Sequence, residues 1–246
     1  MFPRYSQRAA ETPLIHLADT DIDVFGCRLD SDQDISVDEA LDYLSRDERH
    51  RARRYHFISD SEHYVRCRGY LRKLLGAFQA KHPGAIRFSY GENGKPFLRG
   101  ENISFNVSHS NGVAVCAISR RAEVGIDVEF NDPRRCVEEV MQLVFTPAER
   151  HQLQLCQGSA ATALFFQLWT AKEAFMKLTG EGMSLHPRQI EIGFDRGRPQ
   201  RYIRPGDGRV RLDHLSLFGS SFSCHIASAP RGAFSQAHSL QTDKAT

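Results

Sequence analysis

The chain has no run of about 18 apolar residues, so no segment reads as a membrane-spanning helix. Its six cysteines (27, 67, 116, 136, 156 and 224) are scattered without a C-x-x-C pair, which argues against structural zinc and against a disulfide framework. Net charge is scarce. The 32 basic and 30 acidic residues leave +2, and nothing global points to a nucleic-acid partner. The first residues contain no apolar stretch of the secretory kind. A reduced, cytoplasmic protein is expected, with neither membrane nor nucleic acid among its partners. Tryptophan occurs once, at Trp169, where core packing is its expected role.

What is present is ordinary for a globular protein: 41% hydrophobic and 25% charged residues over 246 positions, enough for one large domain or two of about 120 residues each. The charge is uneven locally. Residues 1–44 carry three arginines against ten acids, and residues 45–73 carry nine bases against four. A basic segment beside an acidic one points to a local phosphate site rather than a polyelectrolyte partner. Arg49, Arg51, Arg53 and Arg54 fall within six positions and are candidates for an anion site, or form a solvated helix face.

Residues 1–13 read as a loose arm. Val24–Cys27 is a short strand. Ser36-Val37-Asp38-Glu39 has capping-box spacing and predicts a helix. A long helix is predicted over 61–81, capped by Ser59 or Asp60 and ended by Pro83-Gly84. Strands are predicted at 86–90, 103–107 and 113–118, the last two joined through Asn111-Gly112. Val137, Val140, Met141 and Val144 predict a short helix, and Thr146-Pro147-Ala148-Glu149 opens another with a capping box. A second long helix is predicted over 160–179 and closed by Gly180. Strands near 190–194, 214–218 and 222–228 follow, and the tail after Pro230 is expected to fray. Each half has one long helix followed by three strands, and Val115–Ser119 faintly echoes Ser223–Ser228. A duplicated α+β unit is expected, divided into residues 1–130 and 131–246.

The stretch around which these elements gather is Val124-Gly125-Ile126-Asp127-Val128-Glu129. It reads as a strand with Ile126 and Val128 on one face and Asp127 and Glu129 on the other. Two carboxylates on one face are either solvated acids or the start of a hard-cation site completed by phosphate oxygens. Later come Trp169-Thr170-Ala171-Lys172-Glu173-Ala174 and Lys177. Glu173 and Lys177 share a helix face, which by itself fits a surface ion pair.

Taken with Gly94-Lys95-Pro96 and Phe105-Asn106-Val107-Ser108-His109-Ser110, these motifs resemble, in order and spacing, those of the 4'-phosphopantetheinyl transferases of the larger, surfactin-synthetase-activator (Sfp) type. The resemblance runs from about Ser45 to Ala229. It implies that family's fold: a pseudo-twofold pair of units, each a long helix on a small, mostly antiparallel sheet. It implies transfer of the phosphopantetheine arm of coenzyme A to a serine of an apo acyl or peptidyl carrier protein, releasing 3',5'-ADP. Mg²⁺, with Mn²⁺ as a substitute, would be held by Asp127, Glu129 and Glu173. Lys177 would assist the leaving group, and Glu149 would be the base unless it is only a helix cap. Arg51, Arg54, Lys95, Ser108, His109 and Lys177 would bind the coenzyme. Lys172 has a rim or structural place. Glu48 departs from the pattern, standing where some members have lysine. A monomer is expected. The carrier, whether of fatty-acid, polyketide, nonribosomal-peptide or aminoadipate type, is left open. The competing readings are a non-catalytic coenzyme A binder and a metal-dependent phosphohydrolase.

Overall fold

The computed structural model describes residues 12–136, 138–204 and 208–234. Up to residue 121 the chain forms β1 (Ile15–Leu17), β2 (Ile22–Arg28), α1 (Val37–Tyr43), α2 (Arg46–Ala52), α3 (Ile58–Gln79), β3 (Ser89–Tyr90), β4 (Pro96–Phe97), β5 (Ser104–Ser110) and β6 (Val113–Ser119). From there on it forms β7 (Ala122–Phe130), α4 (Glu138–Val144), α5 (Pro147–Gln154), α6 (Gly158–Thr179), β8 (Glu191–Asp195), β9 (Arg198–Arg204), β10 (Arg211–His214) and β11 (Phe222–Pro230).

Two main sheets form, ordered β1-β2-β6-β5 and β10-β11-β7, with small hairpins β3-β4 and β8-β9. Each strand pairing within them is antiparallel. The layers run α3, first sheet, second sheet, α6. One core lies between α3 and the first sheet, using Leu71, Leu74, Phe105, Cys116 and Ile118. Another gathers the apolar face of α6, with Leu168, Phe175 and Leu178. A third lies between the two sheets, where Ile22, Val24, Val115 and Ala117 meet Ile126, Val128 and Ile226. Period-two alternation on β7 sends Val124, Ile126 and Val128 into that middle core and leaves Gly125, Asp127 and Glu129 facing α6.

The duplication extends to a buried clamp. Ser45 and Glu48 form a capping box at α2, and Thr146 and Glu149 form one at α5. Arg72 on α3 donates to Glu48 at 2.8 Å and to the carbonyls of Pro83 and Ile86. Lys172 on α6 pairs with Glu149 at 2.8 Å and donates to the carbonyls of Pro187 and Ile190. In each unit one buried carboxylate ties a short helix to a long one, and the long helix's cation ties down the turn that follows it.

Several predicted elements shift. α3 starts at Ile58 behind Phe57, which supplies no side-chain cap. Its first turn is tied instead by Ser61 Oγ donating to the Ala52 carbonyl at the end of α2 (2.9 Å). The predicted strand at 86–90 shrinks to Ser89–Tyr90 because Ile86 closes a 3-10 turn. Residues 214–218 form no strand beyond His214, although Leu215 and Leu217 are buried. β1 and β9 were not foreseen. The Asn111-Gly112 hairpin forms as expected, with φ of 45° and 78°, as its tight turn requires. Val137, most of the N-terminal arm and the tail from 235 lie outside the described residues. Among the described residues no helix is long and apolar enough to cross a membrane.

Candidate active site

β5 and β7 lie side by side without pairing backbone to backbone. Their link is a ladder of polar side chains from alternate β5 positions. The backbone N–H groups of Val124, Ile126 and Phe130 donate to Ser104 Oγ, Asn106 Oδ1 and Ser110 Oγ. The serine hydroxyls in turn donate to β7 carboxylates: Ser108 to Asp127 Oδ1 (2.7 Å) and Ser110 to Glu129 Oε2 (2.8 Å). The Ser108 and Ser110 side chains thus fix how both acids are presented.

A cation joins each acid on the oxygen already committed. Lys177 Nζ, from α6, lies 2.6 Å from Asp127 Oδ1 and donates to Ser108 Oγ (2.9 Å). Arg135 Nη1 donates to Glu129 Oε2 (2.9 Å). The second oxygens are left over. Asp127 is 3% exposed, and its Oδ2 is buried without a hydrogen-bond partner among the described residues. Glu129 Oε1 accepts no hydrogen bond there either. Glu173, one turn before Lys177 on α6, makes no ion pair among the described residues. Burial, with Asp127 next, raises its carboxyl pKa.

Val107, Ser108, His109, Asp127, Glu129, Trp169, Glu173 and Lys177 line one open cavity of about 310 Å³. The carboxylates that line it suit a hard divalent cation, and the orphaned buried oxygen of Asp127 is what such an ion would satisfy. The acids are not drawn into a closed cage: among the described residues no three His, Cys, Asp or Glu side chains are gathered as a ready metal site. His109 also lines a second cavity of about 430 Å³, with His63, Tyr55 and Tyr64. Tyr64 also lines a third, of about 530 Å³, with Arg46, Arg51 and Arg87. Shared walls at His109 and Tyr64 make these three spaces neighbours, leading from the acids to a basic end.

The profile of the 4'-phosphopantetheinyl transferase superfamily matches residues 123–227, and that of the 4'-phosphopantetheinyl transferase N-terminal region matches residues 32–121. The 4'-phosphopantetheinyl transferase HetI of Nostoc sp. (strain PCC 7120) is 34% identical over 162 residues, covering 64% of this chain and 68% of that protein. The chain belongs to the 4'-phosphopantetheinyl transferase superfamily. Other relatives include the putative 4'-phosphopantetheinyl transferase slr0495 of Synechocystis sp. (strain PCC 6803), 37% identical over 57% of this chain and 58% of its own length. Sfp of Bacillus subtilis (strain 168) is 29% identical over 59% of this chain and 64% of its own length. The match thus spans less than two thirds of the latter two relatives. A holo-(acyl-carrier-protein) synthase from Bacillus anthracis str. Ames, solved with CoA (3',5'-ADP), aligns over 45% of this chain and 97% of its own at a TM-score of 0.39 and 21% identity.

Of the site residues expected for a phosphopantetheinyl transferase, Ser108, His109, Asp127, Glu129, Glu173 and Lys177 come together at one cavity. Arg51 is apart from them, exposed at the basic end with its guanidinium 5.4 Å from the Tyr64 ring centroid. Arg54 is exposed, and its side chain makes no hydrogen bond or ion pair among the described residues. Lys95 is elsewhere. Its Nζ caps α6 by donating to the Leu178 carbonyl (2.8 Å), and burial pushes its pKa down to about 8. Glu149 is fully buried. Its Oε2 accepts from Thr146 N and meets Lys172, and its Oε1 accepts from Ile192 N. Of the two expectations for Glu149, base or helix cap, this geometry fits the cap: both oxygens are committed inside the core, and it lines none of the three cavities. Lys172 is its structural partner rather than a rim residue. The departure at Glu48 has the same cause, since Glu48 is the matching clamp acid for Arg68 and Arg72.

The sequence reading missed two residues. Trp169 lines the cavity as well as stacking on Phe165 (centroids 6.3 Å, interplanar 9°). Arg135 was read as part of a connector. Its sequence signal was only a second arginine just after a 3-10-forming Asp-Pro, where Asp132 takes Arg134 and leaves Arg135 to reach back to Glu129.

Proposed function

We propose that this chain moves the 4'-phosphopantetheine arm of coenzyme A onto a serine of an apo carrier protein, with Mg²⁺ or Mn²⁺, and releases 3',5'-ADP. The observation that carries the reading is the pair Asp127 and Glu129, each with one oxygen held by a β5 serine and a cation and the other without a hydrogen bond among the described residues, at a cavity that Glu173 and Lys177 also line. Asp127, Glu129 and Glu173 would hold the metal, which when bound neutralises diphosphate charge beside the reacting phosphorus.

The residues of the chain do the rest. Arg51, with Arg46 and Arg87, offers guanidiniums to the nucleotide phosphates at the basic end, and His109 borders the passage from there to the acids. Lys177 carries a positive charge beside Ser108 and Asp127, placed to balance charge on the departing 3',5'-ADP. With Glu149 sealed in the core, Glu173 is the carboxylate left to accept the serine proton. It lines the cavity beside Asp127 and Lys177 and makes no ion pair among the described residues. Both units contribute walls to this cavity within one chain, which supports a monomer, and a cytoplasmic carrier is the matching partner.

Intact mass spectrometry of an apo carrier protein incubated with this protein, coenzyme A and Mg²⁺ tests the proposal. A carrier mass gain of one phosphopantetheine arm, abolished by EDTA, is expected. Coenzyme A binding without any gain on carriers of several classes would overturn transfer in favour of a binder. Asp127→Ala should end transfer while weakened coenzyme binding survives.

A further inference from the structure

The acids of the cavity are already nearly balanced by the chain's own cations. Lys177 is on Asp127 at 2.6 Å and Arg135 is on Glu129 at 2.9 Å, leaving Glu173 as the acid without an ion pair among the described residues. Arg135 is held from several sides. Its guanidinium lies 5.6 Å from the Phe166 ring centroid and 5.9 Å from that of Trp169. The 3-10 turn Pro133–Arg135 is fixed by the Asp132 side chain, which caps it and takes Arg134. Arg135 therefore does not reach Glu129 by chance from a long free arm. Its guanidinium lies over those two rings, and it shares Glu129 Oε2 with Ser110 while Oε1 accepts no hydrogen bond among the described residues.

Three acids against two cations leave about one net negative charge for an incoming divalent ion. That is a poor site for a bare metal and a good one for a metal carrying a diphosphate, whose negative charge both cations would welcome. Resting on the metal site proposed above, we infer that Arg135 is a positioning and specificity residue that makes the divalent cation enter together with its diphosphate ligand, by offsetting Glu129 until that ligand arrives.

The test uses the full chain and Mn²⁺ as the probe, with free Mn²⁺ read by electron paramagnetic resonance and the single tryptophan, Trp169, as a second signal from the cavity wall. A unit charge about 6 Å from a divalent one in a water-like dielectric changes affinity by about tenfold. Wild type should bind Mn²⁺ weakly alone and at least about tenfold more tightly with coenzyme A. Arg135→Gln should bind Mn²⁺ alone about tenfold more tightly and lose most of the enhancement. Arg135→Lys, which keeps the charge but not the guanidinium over the Phe166 and Trp169 rings, should behave as wild type. If Arg135→Gln binds bare Mn²⁺ no better than wild type, or if both variants act alike, Arg135 is only a packing contact and the inference falls. Tight Mn²⁺ binding by wild type without coenzyme would overturn it too. Asp127→Asn separates the underlying reading: undiminished Mn²⁺ binding in that variant would place the metal elsewhere.

Discussion

Replacing Glu149 with Ala would leave the Lys172 ammonium, itself 1% exposed, in the core with carbonyl partners alone. Removing one member of a buried pair costs about 3–5 kcal/mol, so urea denaturation of Glu149→Ala should show a loss of that order. Coenzyme affinity of the folded variant should change little, because Glu149 lines none of the three cavities. A normal stability with abolished coenzyme binding would refute the clamp. The capping box at Thr146 was legible because its signal is local, three residues long. The Ile192 N–H that takes the other oxygen is 43 positions away, and no local pattern announces it. Lys95 is the same case: its turn was legible, but its carbonyl partner lies 83 positions along the chain. His225 gives a pH prediction at this scale. The Thr170 hydroxyl faces two carbonyl acceptors, Phe166 O and Gln167 O, so its proton goes to a carbonyl and His225 Nδ1 donates to it (2.7 Å). His225 Nε2 is left buried without a partner among the described residues, and burial pushes the imidazole pKa down to about 3. The unfolded chain takes up that proton near pH 6.5 and the folded one does not. Stability is therefore full above about pH 6.5 and falls as the pH drops from there toward 3. The melting temperature should decline between pH 7 and 5, and His225→Asn, which can still donate to Thr170, should flatten the decline. An unchanged slope would sink the assignment.

β7 and α6 are the elements that assemble the site, and Gly125 sets how close they come. A Cβ at Gly125 would collide with the Ala174 carbonyl oxygen and the Leu178 amide nitrogen of α6. Gly125→Ala must push that helix away. Overpacking of this kind costs about 1–3 kcal/mol. Because the same helix carries Glu173 and Lys177, transfer measured at a temperature where the variant is folded should fall as well, by about tenfold or more if the acids separate by an ångström. Full activity in a destabilised Gly125→Ala would show that the site tolerates movement of α6. Both elements were readable in advance: β7 by strict alternation, α6 by apolar spacing and its closing Gly180, which adopts φ of 75°. β9 was not. Its stretch, Arg198-Pro199-Gln200-Arg201-Tyr202-Ile203-Arg204, is mostly polar, and it is a strand because β8 supplies the partner. The stretch at 214–218 failed the other way: Leu215 and Leu217 alternate into the middle core, so burial imitates a strand where little pairing exists.

At the scale of the whole molecule, the order of elements repeats: a strand, short helices, a long helix, a hairpin and two more strands, first from β2 to β6 and then from β7 to β11. The sequence echo between residues 115–119 and 223–228 falls on the matching strands β6 and β11. We propose that the units divide near residue 121 rather than at 130, since β7 pairs with β11 as β2 pairs with β6. The repeat was legible from the long helices. The place of its break was not, because β7 closes the first long strand run in sequence while opening the second unit in space. Each unit has a core against its own helix, but the middle core belongs to both: Ile22, Val24 and Val115 are covered on that face by Ile126, Val128, Ile226 and their neighbours. Neither sheet can lose its partner without exposing that face to water, so the units should unfold together despite their symmetry. Glu48→Ala tests this from the first unit, since it breaks the clamp with Arg68 and Arg72 there. Trp169 fluorescence reports from the second unit and far-UV circular dichroism from both. The variant's urea midpoint should fall by the same amount in both signals, as one transition. A Trp169 midpoint that stays at its wild-type value while the dichroism splits would mean that each long helix with its own sheet is stable alone, and that the shared core is a docking surface rather than part of one fold.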